Sequence, residues 1–259
     1  MTSLRAAVAA AAEIHRIYQT PFKKELKSDG SPVTKADLAS SKVIHDYLSQ
    51  TNIPIIGEEL EKAPYSIRKN WSTCWCVDPL DGTKEFIKKN GEFVINIALI
   101  KNGSPVFGVI ASPILEEIIV GGTEIKGAYQ LSFADIESHE KWTQLQTINT
   151  INQPPVVISS RSHFSGDILK VVKPIEKKYG GFVSLTMGSA LKFFELCQGK
   201  ADLYPRLAPT MEWDIAAGQA IYEALGGEVV DLKNQQPLTY NKENLYNSYF
   251  IARNKALRI

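Results

Sequence analysis

The first half of the chain combines two helical patterns with a series of apolar stretches of strand length. Residues 3–19 carry Ala, Val and Ile at helical spacing and predict a first helix. Thr34 is followed three positions later by Asp37, a capping-box spacing that predicts the start of a second helix. Asn102-Gly103 is typical of a hairpin turn between two strands. The predicted strands are 53–57, 74–77, 93–101, 105–112, 118–120 and 128–131, so a largely antiparallel sheet is expected here.

The pattern changes after Pro154-Pro155, where strands and helices begin to alternate. Strands are predicted at 156–159, 183–186, 201–205, 228–231 and 249–252, and helices at 165–179, 189–198 and 214–225. Such alternation is typical of an α/β arrangement. The chain therefore predicts an α/β protein with an α+β first half and an α/β second half. The Pro-Pro step predicts a boundary between two domains, residues 1–153 and 154–259.

Composition places the chain among globular proteins. Of its 259 residues, 44% are hydrophobic and 22% are charged, which excludes collagen, a disulfide scaffold and a disordered chain. The net charge of +1 argues against a nucleic-acid coat protein, so no nucleic-acid partner is expected. No apolar run approaches the ~20 residues of a membrane span, and the interrupted Ala-rich start favours a helix over a signal peptide. We expect a cytoplasmic protein, and peripheral attachment at an inner membrane stays open.

The three cysteines indicate a reducing compartment, because three thiols cannot all pair within one chain. Cys74 and Cys76 stand two apart in an apolar run and should share one face of a strand. No second cysteine pair completes a zinc site. We therefore interpret them, with Cys197, as buried structural thiols.

The stretch from Asp78 to Thr83 carries the first candidate chemistry. Asp78 and Asp81 are two carboxylates at the end of a predicted strand, and a helix is predicted to begin near Thr83. Mg²⁺ prefers carboxylate and phosphate oxygens, and the N–H groups of Gly82 and Thr83 at a helix start suit a phosphate. The alternative is a surface turn in which Asp and Gly serve only the turn conformation.

Acidic residues in two further places favour a metal site over a surface turn. Glu58-Glu59 follows Gly57 at another predicted strand end, and Asp214 stands where a helix is predicted to begin. Taken singly, the first is typical of a solvated surface and the second of an acid stabilised by the helix dipole. Together with Asp78 and Asp81, these acids predict a site for two or three Mg²⁺ ions. Such sites serve in-line phosphoryl displacement by water.

The three motifs Gly57-Glu58-Glu59, Asp78–Thr83 and Trp213–Gly218, in this order and spacing, resemble the inositol monophosphatase superfamily of Mg²⁺-dependent, Li⁺-sensitive phosphatases. The resemblance covers nearly the whole chain. Further features narrow it to the bacterial 3′(2′),5′-bisphosphate nucleotidase branch: Lys84-Glu85-Phe86, Ser160–His163, Gly188–Phe193, Ala201–Arg206 and Pro209–Asp214. That branch removes the 3′-phosphate of adenosine 3′,5′-bisphosphate. The resemblance thus implies a role in sulfur assimilation and nucleotide recycling, with 3′-phosphoadenosine 5′-phosphosulfate left open as a second substrate.

The resemblance also implies roles for the acidic residues. Glu58, Asp78 and the carbonyl of Leu80 would hold a first metal ion, and Asp78, Asp81 and Asp214 a second. Glu58 would approach a third, looser ion through water. Asp37 and Thr83 would orient and deprotonate the water nucleophile, in agreement with the physics of an acidified metal-bound water. Asp37 can cap its helix at the same time, and Glu59 is not expected to be a ligand.

The implied substrate contacts come mainly from the second predicted domain. Ser160 and His163 would contact the nucleotide, and Gly188 would allow close approach of its backbone. Lys192 would face the same ligand one helical turn later, although taken alone it is more typical of a solvated surface lysine. Arg206 would grip the 5′-phosphate, since a guanidinium matches phosphate oxygens bidentately. The metal ligands lie in residues 1–153, apart from Asp214.

The fold that the resemblance implies is a layered α-β-α-β-α sandwich with the active site between the two halves. Two alternatives within the same superfamily are an inositol monophosphatase and a fructose-1,6-bisphosphatase. An alternative of another class is a non-catalytic nucleotide- or RNA-binding protein on this scaffold. The oligomeric state is expected to be a monomer or a homodimer.

Overall fold

Seven α-helices lie in the part of the chain that the structure, a computed structural model, describes: residues 1–27, 30, 32–160 and 167–258. They are α1 (Thr2–Tyr18), α2 (Lys35–Leu48), α3 (Tyr65–Arg68), α4 (Thr83–Ile87), α5 (Asp167–Tyr179), α6 (Leu191–Cys197) and α7 (Glu212–Ala224). No helix within these ranges is both long and apolar enough to cross a bilayer. His163, for which the resemblance implies a contact with the substrate, lies outside the described residues.

The first half of the chain forms a two-stranded hairpin and a seven-stranded sheet. The hairpin is β1 (Lys24–Leu26) and β2 (Pro32–Thr34). The large sheet has the order β3 (Ile55–Gly57), β4 (Thr73–Asp81), β5 (Val94–Lys101), β6 (Ser104–Ser112), β7 (Glu117–Gly122), β8 (Gly127–Ser132) and β9 (Thr143–Gln144). Only β3 and β4 pair in parallel among these neighbours. The predicted turn at Asn102-Gly103 is confirmed, with positive φ at both residues.

The second half forms a five-stranded mixed sheet. Its strands are β10 (Val156–Ser159), β11 (Val183–Thr186), β12 (Leu203–Arg206), β13 (Glu228–Asp231) and β14 (Phe250–Arg253), in the spatial order β11-β10-β12-β14-β13. β10 pairs in parallel with β11 and β12, whereas β14 runs antiparallel to β12 and β13. Each large sheet lies on one side of the predicted boundary at residue 153, and the division into two domains stays a prediction.

The helices and the two large sheets stack in five layers. α1 and α2 share a hydrophobic core with one face of the seven-stranded sheet. α7 lies on the other face, so close that a Cβ on Gly108 of β6 would stand 2.3 Å from the carbonyl oxygen of Ala217. On this face, α6 and α7 form a second hydrophobic core between the two large sheets. α5 covers the outer face of the five-stranded sheet. The predicted α-β-α-β-α sandwich is therefore confirmed.

Several element boundaries differ from the sequence prediction by a few residues, and two of these differences concern the acidic residues. β4 does not stop at Val77 but continues to Asp81. α7 begins at Glu212, so Asp214 is its third residue and not its start. The structure agrees with the interpretation of the cysteines, since all three are free and buried, and Cys74 and Cys76 face one core.

Candidate active site

Parallel pairing of β3 and β4 brings the first two acidic residues together. Gly57 lies opposite Val77 in the register, and the Glu58 N–H donates to the Val77 carbonyl at 3.1 Å. The residues that follow this pair are Glu58, directly after the end of β3, and Asp78 in β4, which therefore lie close together. The Asp78 side chain is only 2% exposed, and its Oδ1 accepts the Leu80 N–H at 2.9 Å.

A bulge in β4 brings Asp81 to the same region. The register between β4 and β5 is regular up to Asp78 and then shifts before Asp81. Bulges re-aim side chains in this way. One carboxylate oxygen of Asp81, Oδ2, accepts hydrogen bonds from the Ala190 N–H at 2.6 Å and from the Asn96 side chain at 3.3 Å. Asp81 thus links the seven-stranded sheet to the segment that precedes α6.

Asp37 and Asp214 occupy equivalent places in their helices. Each is the third residue of its helix and accepts the backbone N–H three positions earlier, from Thr34 at 2.7 Å and from Met211 at 2.9 Å. Such a bond satisfies a helix N–H that has no partner within the helix. The local sequence therefore fixes both carboxylates before any ligand is present.

Burial and neighbouring negative charges oppose the ionisation of the three aspartates of the predicted metal site. Burial raises the pKa of Asp78 well above its ordinary value, and the charges of Glu58, Asp81 and Asp214 raise it further. Burial and the charges of Asp81 and Glu58 raise the pKa of Asp214 in the same way. Burial also raises the pKa of Asp81 to about 6, despite the charge of nearby Lys192. A divalent cation would relieve this repulsion, and a set of hard oxygen donors suits Mg²⁺.

The placement of these acids is not that of a closed coordination shell. Among the described residues, no three acidic, histidine or cysteine side chains surround a single metal position. Glu58 instead forms an ion pair with Lys27 at 2.7 Å, and Lys27 also pairs with Glu59. The donor chemistry fits Mg²⁺, and the ion pair with Lys27 involves only Oε1 of Glu58.

Lys27 is a site residue that sequence analysis missed. It directly follows β1, and its ammonium reaches acids 31 and 32 positions further along the chain. Burial disfavours its charged form, but the charges of Glu58 and Glu59 outweigh that effect and raise the pKa of Lys27 above its ordinary value. The only sequence signal was a lysine in a turn-rich loop, which carries no information about a partner so distant in the chain.

Asp37 and Thr83 are in direct contact, as their predicted shared role requires. The Thr83 hydroxyl donates to Oδ1 of Asp37 at 2.8 Å. The other oxygen, Oδ2, accepts from the backbone and the side chain of Thr34, both at 2.7 Å. Helix capping and the contact with Thr83 thus use different oxygen atoms of one buried carboxylate. Asp37 can serve both purposes at once.

One pocket contains both acidic and basic side chains. Its lining includes Asp81 and Asp214 together with Lys192 and Arg206; the other lining residues are Gly82, Lys84, Glu85, Ser160, Gly188, Ser189, Ala190, Phe193, Tyr204, Thr210 and Ile215. Arg206 is the last residue of β12 and donates to the Ser160 hydroxyl at 2.6 Å and to the Pro209 carbonyl at 3.1 Å. Predicted metal ligands and predicted phosphate-binding cations therefore face one cavity.

Lys192 is not the solvated lysine that the isolated residue suggested. It is only 4% exposed, and its ammonium donates to the carbonyl oxygens of Ser189 and Met187. Burial lowers the pKa of Lys192 to about 8, against the opposing charge of Asp81. The lysine lies in the pocket wall.

Packing within the protein requires glycine at two positions of the predicted substrate site, Gly82 and Gly188. Gly82 has a φ of +100°, and a Cβ there would stand 2.9 Å from the Glu92 carbonyl oxygen. A Cβ on Gly188 would stand 2.7 Å from Cγ of Glu85 and 3.0 Å from the same carbonyl oxygen. Close approach at Gly188 was predicted, but its partner in the structure is the chain at Glu85 and Glu92. The predicted approach of substrate to Gly188 stays a prediction.

Comparison with known proteins agrees with this geometry. The model of the inositol monophosphatase family matches residues 1–257, so the chain belongs to the inositol monophosphatase family. Phosphatases of this family are generally Mg²⁺-dependent.

Three similar members of this family are each named CysQ. The 3′(2′),5′-bisphosphate nucleotidase CysQ of Escherichia coli O6:H1 is 38% identical over 233 residues, which cover 89% of this chain and 88% of that protein. CysQ of Salmonella typhimurium is 39% identical over 213 residues, covering 82% and 80%. The crystal structure of CysQ from Bacteroides thetaiotaomicron superposes with a TM-score of 0.86 at 39% identity and covers 98% of this chain and 96% of that one.

Proposed function

We propose that this chain is a Mg²⁺-dependent phosphatase that converts adenosine 3′,5′-bisphosphate into AMP and inorganic phosphate. The observation that carries the proposal is the mixed pocket, in which Asp81 and Asp214 share one cavity with Lys192 and Arg206. Carboxylates alone would suit a metal-bound phosphate of any monoester. The two cations in the same cavity suit a second anionic group on the substrate. The CysQ relatives, at 38–39% identity, support this assignment.

The metal-binding part of the proposal assigns each acid a place. Glu58, Asp78 and the carbonyl oxygen of Leu80 would hold one ion, and Asp78, Asp81 and Asp214 a second, with two to three ions in all. Mg²⁺ bound there would acidify the attacking water and neutralise charge on the transferring phosphoryl group. Li⁺ is expected to inhibit by competing for one of these positions. The N–H groups of Gly82 and Thr83 would hold oxygens of the transferring phosphate.

Asp37 and Thr83 would direct the nucleophile. With the Thr83 hydroxyl donating to Oδ1 of Asp37, the Thr83 oxygen can accept a hydrogen bond from a water. The proton of that water can pass to Thr83 as Thr83 passes its own to Asp37. Burial raises the pKa of Asp37 above its ordinary value, which makes it a better proton acceptor than an exposed aspartate.

Arg206, Lys192 and Ser160 would recognise the phosphate that is not removed. Ser160 accepts from one guanidinium nitrogen of Arg206 and orients the side chain. Among the described residues, the buried Nε–H of Arg206 has no acceptor. A second phosphate would supply charge-assisted partners to both cations. His163 is expected to contact the nucleotide as well, together with Gly188.

The test is phosphate release from three substrates at equal concentration with Mg²⁺ present. Adenosine 3′,5′-bisphosphate is expected to be hydrolysed with the highest kcat/KM. 3′-AMP, which lacks only the 5′-phosphate, and inositol 1-phosphate are both expected to be poorer. A preference for inositol 1-phosphate would contradict the proposal and indicate an inositol monophosphatase. Absence of hydrolysis of all three would favour a binding protein without catalysis.

A further inference from the structure

The segment of residues 187–192, which ends in Lys192, is held from outside by two carboxylates of the first half of the chain. The Gly188 N–H donates to Oε2 of Glu92 at 2.8 Å, across 96 positions of sequence. The Ala190 N–H donates to Oδ2 of Asp81 at 2.6 Å. Alternate backbone N–H groups of the segment are therefore bound to the β4–β5 region.

The same segment is held from inside by its own lysine. The carbonyl oxygens of Met187 and Ser189 accept from the Lys192 ammonium at 3.3 and 2.5 Å. Ser189 itself has a φ of +48°, in the left-handed region. The backbone thus alternates between donors bound to carboxylates outside and acceptors bound to the lysine inside, which leaves little freedom to place Lys192 elsewhere.

Glu92 lies where the two halves of the chain meet. Its carbonyl oxygen would stand 2.9 Å from a Cβ on Gly82 and 3.0 Å from a Cβ on Gly188, so both glycines pack against this one residue. Gly82 belongs to the turn that follows Asp81, and Gly188 is the second residue of the segment that carries Lys192. The carboxylate of Glu92 is also one of the negative charges near the Lys192 ammonium.

We propose that Glu92 is a positioning residue that sets the selectivity of the pocket for substrates with two phosphates. It does so by docking residues 187–192 against the turn at Gly82, which fixes the separation between the metal-held phosphate and the second phosphate. This inference rests on the proposed function. No contact of Glu92 with substrate is required, because it acts through Gly188 and Lys192.

The expected effect is selective because Glu92→Ala removes only the anchor at Gly188, whereas the bond from the Ala190 N–H to Asp81, at the metal-site end of the segment, is retained. In Glu92→Ala the Gly188 N–H loses its acceptor, and Lys192 is no longer held at one fixed distance from the metal site. Small misplacements of binding groups lower rates strongly. We expect kcat/KM for adenosine 3′,5′-bisphosphate to fall about tenfold, mainly because KM rises. A tenfold loss corresponds to ~1.4 kcal/mol. The value for 3′-AMP should change less than about twofold, because this substrate has no second phosphate to place.

Three variants sharpen the test. Glu92→Gln keeps an oxygen acceptor for the Gly188 N–H and is expected to restore most of the lost selectivity. Gly188→Ala introduces a Cβ 2.7 Å from Cγ of Glu85 and 3.0 Å from the Glu92 carbonyl oxygen. It should displace the segment while the Glu92 side chain is intact, with a larger loss for adenosine 3′,5′-bisphosphate than for 3′-AMP. Glu140→Ala removes an exposed glutamate as the matched control and should change neither substrate.

Hydrogen–deuterium exchange of the peptide that contains residues 187–192 gives a readout independent of activity. In Glu92→Ala without substrate, exchange there is expected to be faster than in the wild type, and Glu92→Gln should resemble the wild type. Equal losses with both nucleotides, or unchanged exchange, would overturn the positioning role. A wild type that does not prefer the bisphosphate to 3′-AMP would instead refute the proposed function, and with it the role of Glu92 in selectivity. In that case, faster exchange in Glu92→Ala would support only the docking of residues 187–192 by Glu92.

Discussion

The two carboxylate oxygens of Asp81 have different proposed roles, one in hydrogen bonding within the protein and one in metal binding. Replacing Asp81 by asparagine is expected to keep the first role and remove the second. Oδ2 accepts from the Ala190 N–H and from the Asn96 side chain, and both of these groups are donors. In Asp81→Asn the amide oxygen has to take that position, because an NH₂ group there would face two other donors. The NH₂ group then replaces Oδ1, the oxygen left for a metal ion. The variant keeps its shape but presents a donor where a ligand is needed.

The expected loss of activity is large. Removing one preorganised electrostatic partner of a transition state typically costs about 3–4 kcal/mol, or roughly 10²–10³ in kcat. The replacement removes a full charge as well as a ligand oxygen from Asp81, so we expect at least ~100-fold lower kcat for adenosine 3′,5′-bisphosphate at saturating Mg²⁺.

The same change should not destabilise the metal-free fold. Burial raises the pKa of Asp81 from 3.8 to about 6. At about 1.36 kcal/mol per pKa unit, ionised Asp81 disfavours folding on the order of 2–3 kcal/mol. Because folding raises the pKa of Asp81, this penalty is absent at a pH below the pKa of the unfolded chain and is complete well above pH 6. In EDTA at pH 7, Asp81→Asn is therefore expected to unfold at the same or a higher temperature than the wild type.

The assay pairs phosphate release with thermal unfolding in EDTA. A variant that is inactive and at least as stable as the wild type fits the ligand assignment. Retention of more than about a tenth of the wild-type rate, a barrier change below ~1.4 kcal/mol, would refute it. An inactive variant with a much lower unfolding temperature would show that Asp81 serves the fold and not the metal.

Three further predictions concern the phosphate that is not removed and the water nucleophile. Arg206→Ala should lower kcat/KM for adenosine 3′,5′-bisphosphate about 10–100-fold, or ~1.4–2.7 kcal/mol, and barely change that for 3′-AMP in the same phosphate-release assay. Because burial lowers the pKa of Lys192 to about 8, its charge is lost as the pH rises through that value, and KM for the bisphosphate should rise above about pH 8 more steeply than KM for 3′-AMP. Thr83→Val removes the hydroxyl that donates to Asp37 at 2.8 Å and should lower kcat roughly 10²-fold, whereas Thr83→Ser should retain most of it.

Each of these three predictions can be contradicted by a specific result. An equal loss with both nucleotides would show that Arg206 supports the fold or the metal site. Parallel pH profiles of KM for the two nucleotides would remove Lys192 from recognition of the second phosphate. Full activity of Thr83→Val would place activation of the water elsewhere.

Local signals in the sequence predicted the parts of the site that depend on neighbouring residues. Asp37 was placed by the capping-box spacing from Thr34, and the bond between these two residues is present. Arg206 at the end of a strand was likewise predicted from the local pattern and is the last residue of β12. Interactions within a few residues fix such features, so the sequence contains them directly.

Features that depend on tertiary pairing could not be predicted in this way. Glu58 and Asp78 lie close together only because β3 and β4 pair in parallel, which no local pattern specifies. Lys27 and Glu92 are single charged residues in loops, and their partners lie 31 and 96 positions away. A lone charge in a loop is typical of a solvated surface, so the sequence offered no reason to select either residue.

The most direct test of the central claim is to identify the product formed from adenosine 3′,5′-bisphosphate. The metal carboxylates should act on the 3′-phosphate while Arg206 and Lys192 retain the 5′-phosphate. Chromatography of the reaction is therefore expected to show 5′-AMP and one equivalent of inorganic phosphate with Mg²⁺, and no reaction in EDTA. Formation of 3′-AMP, or phosphate release that survives thorough chelation, would contradict the proposed function.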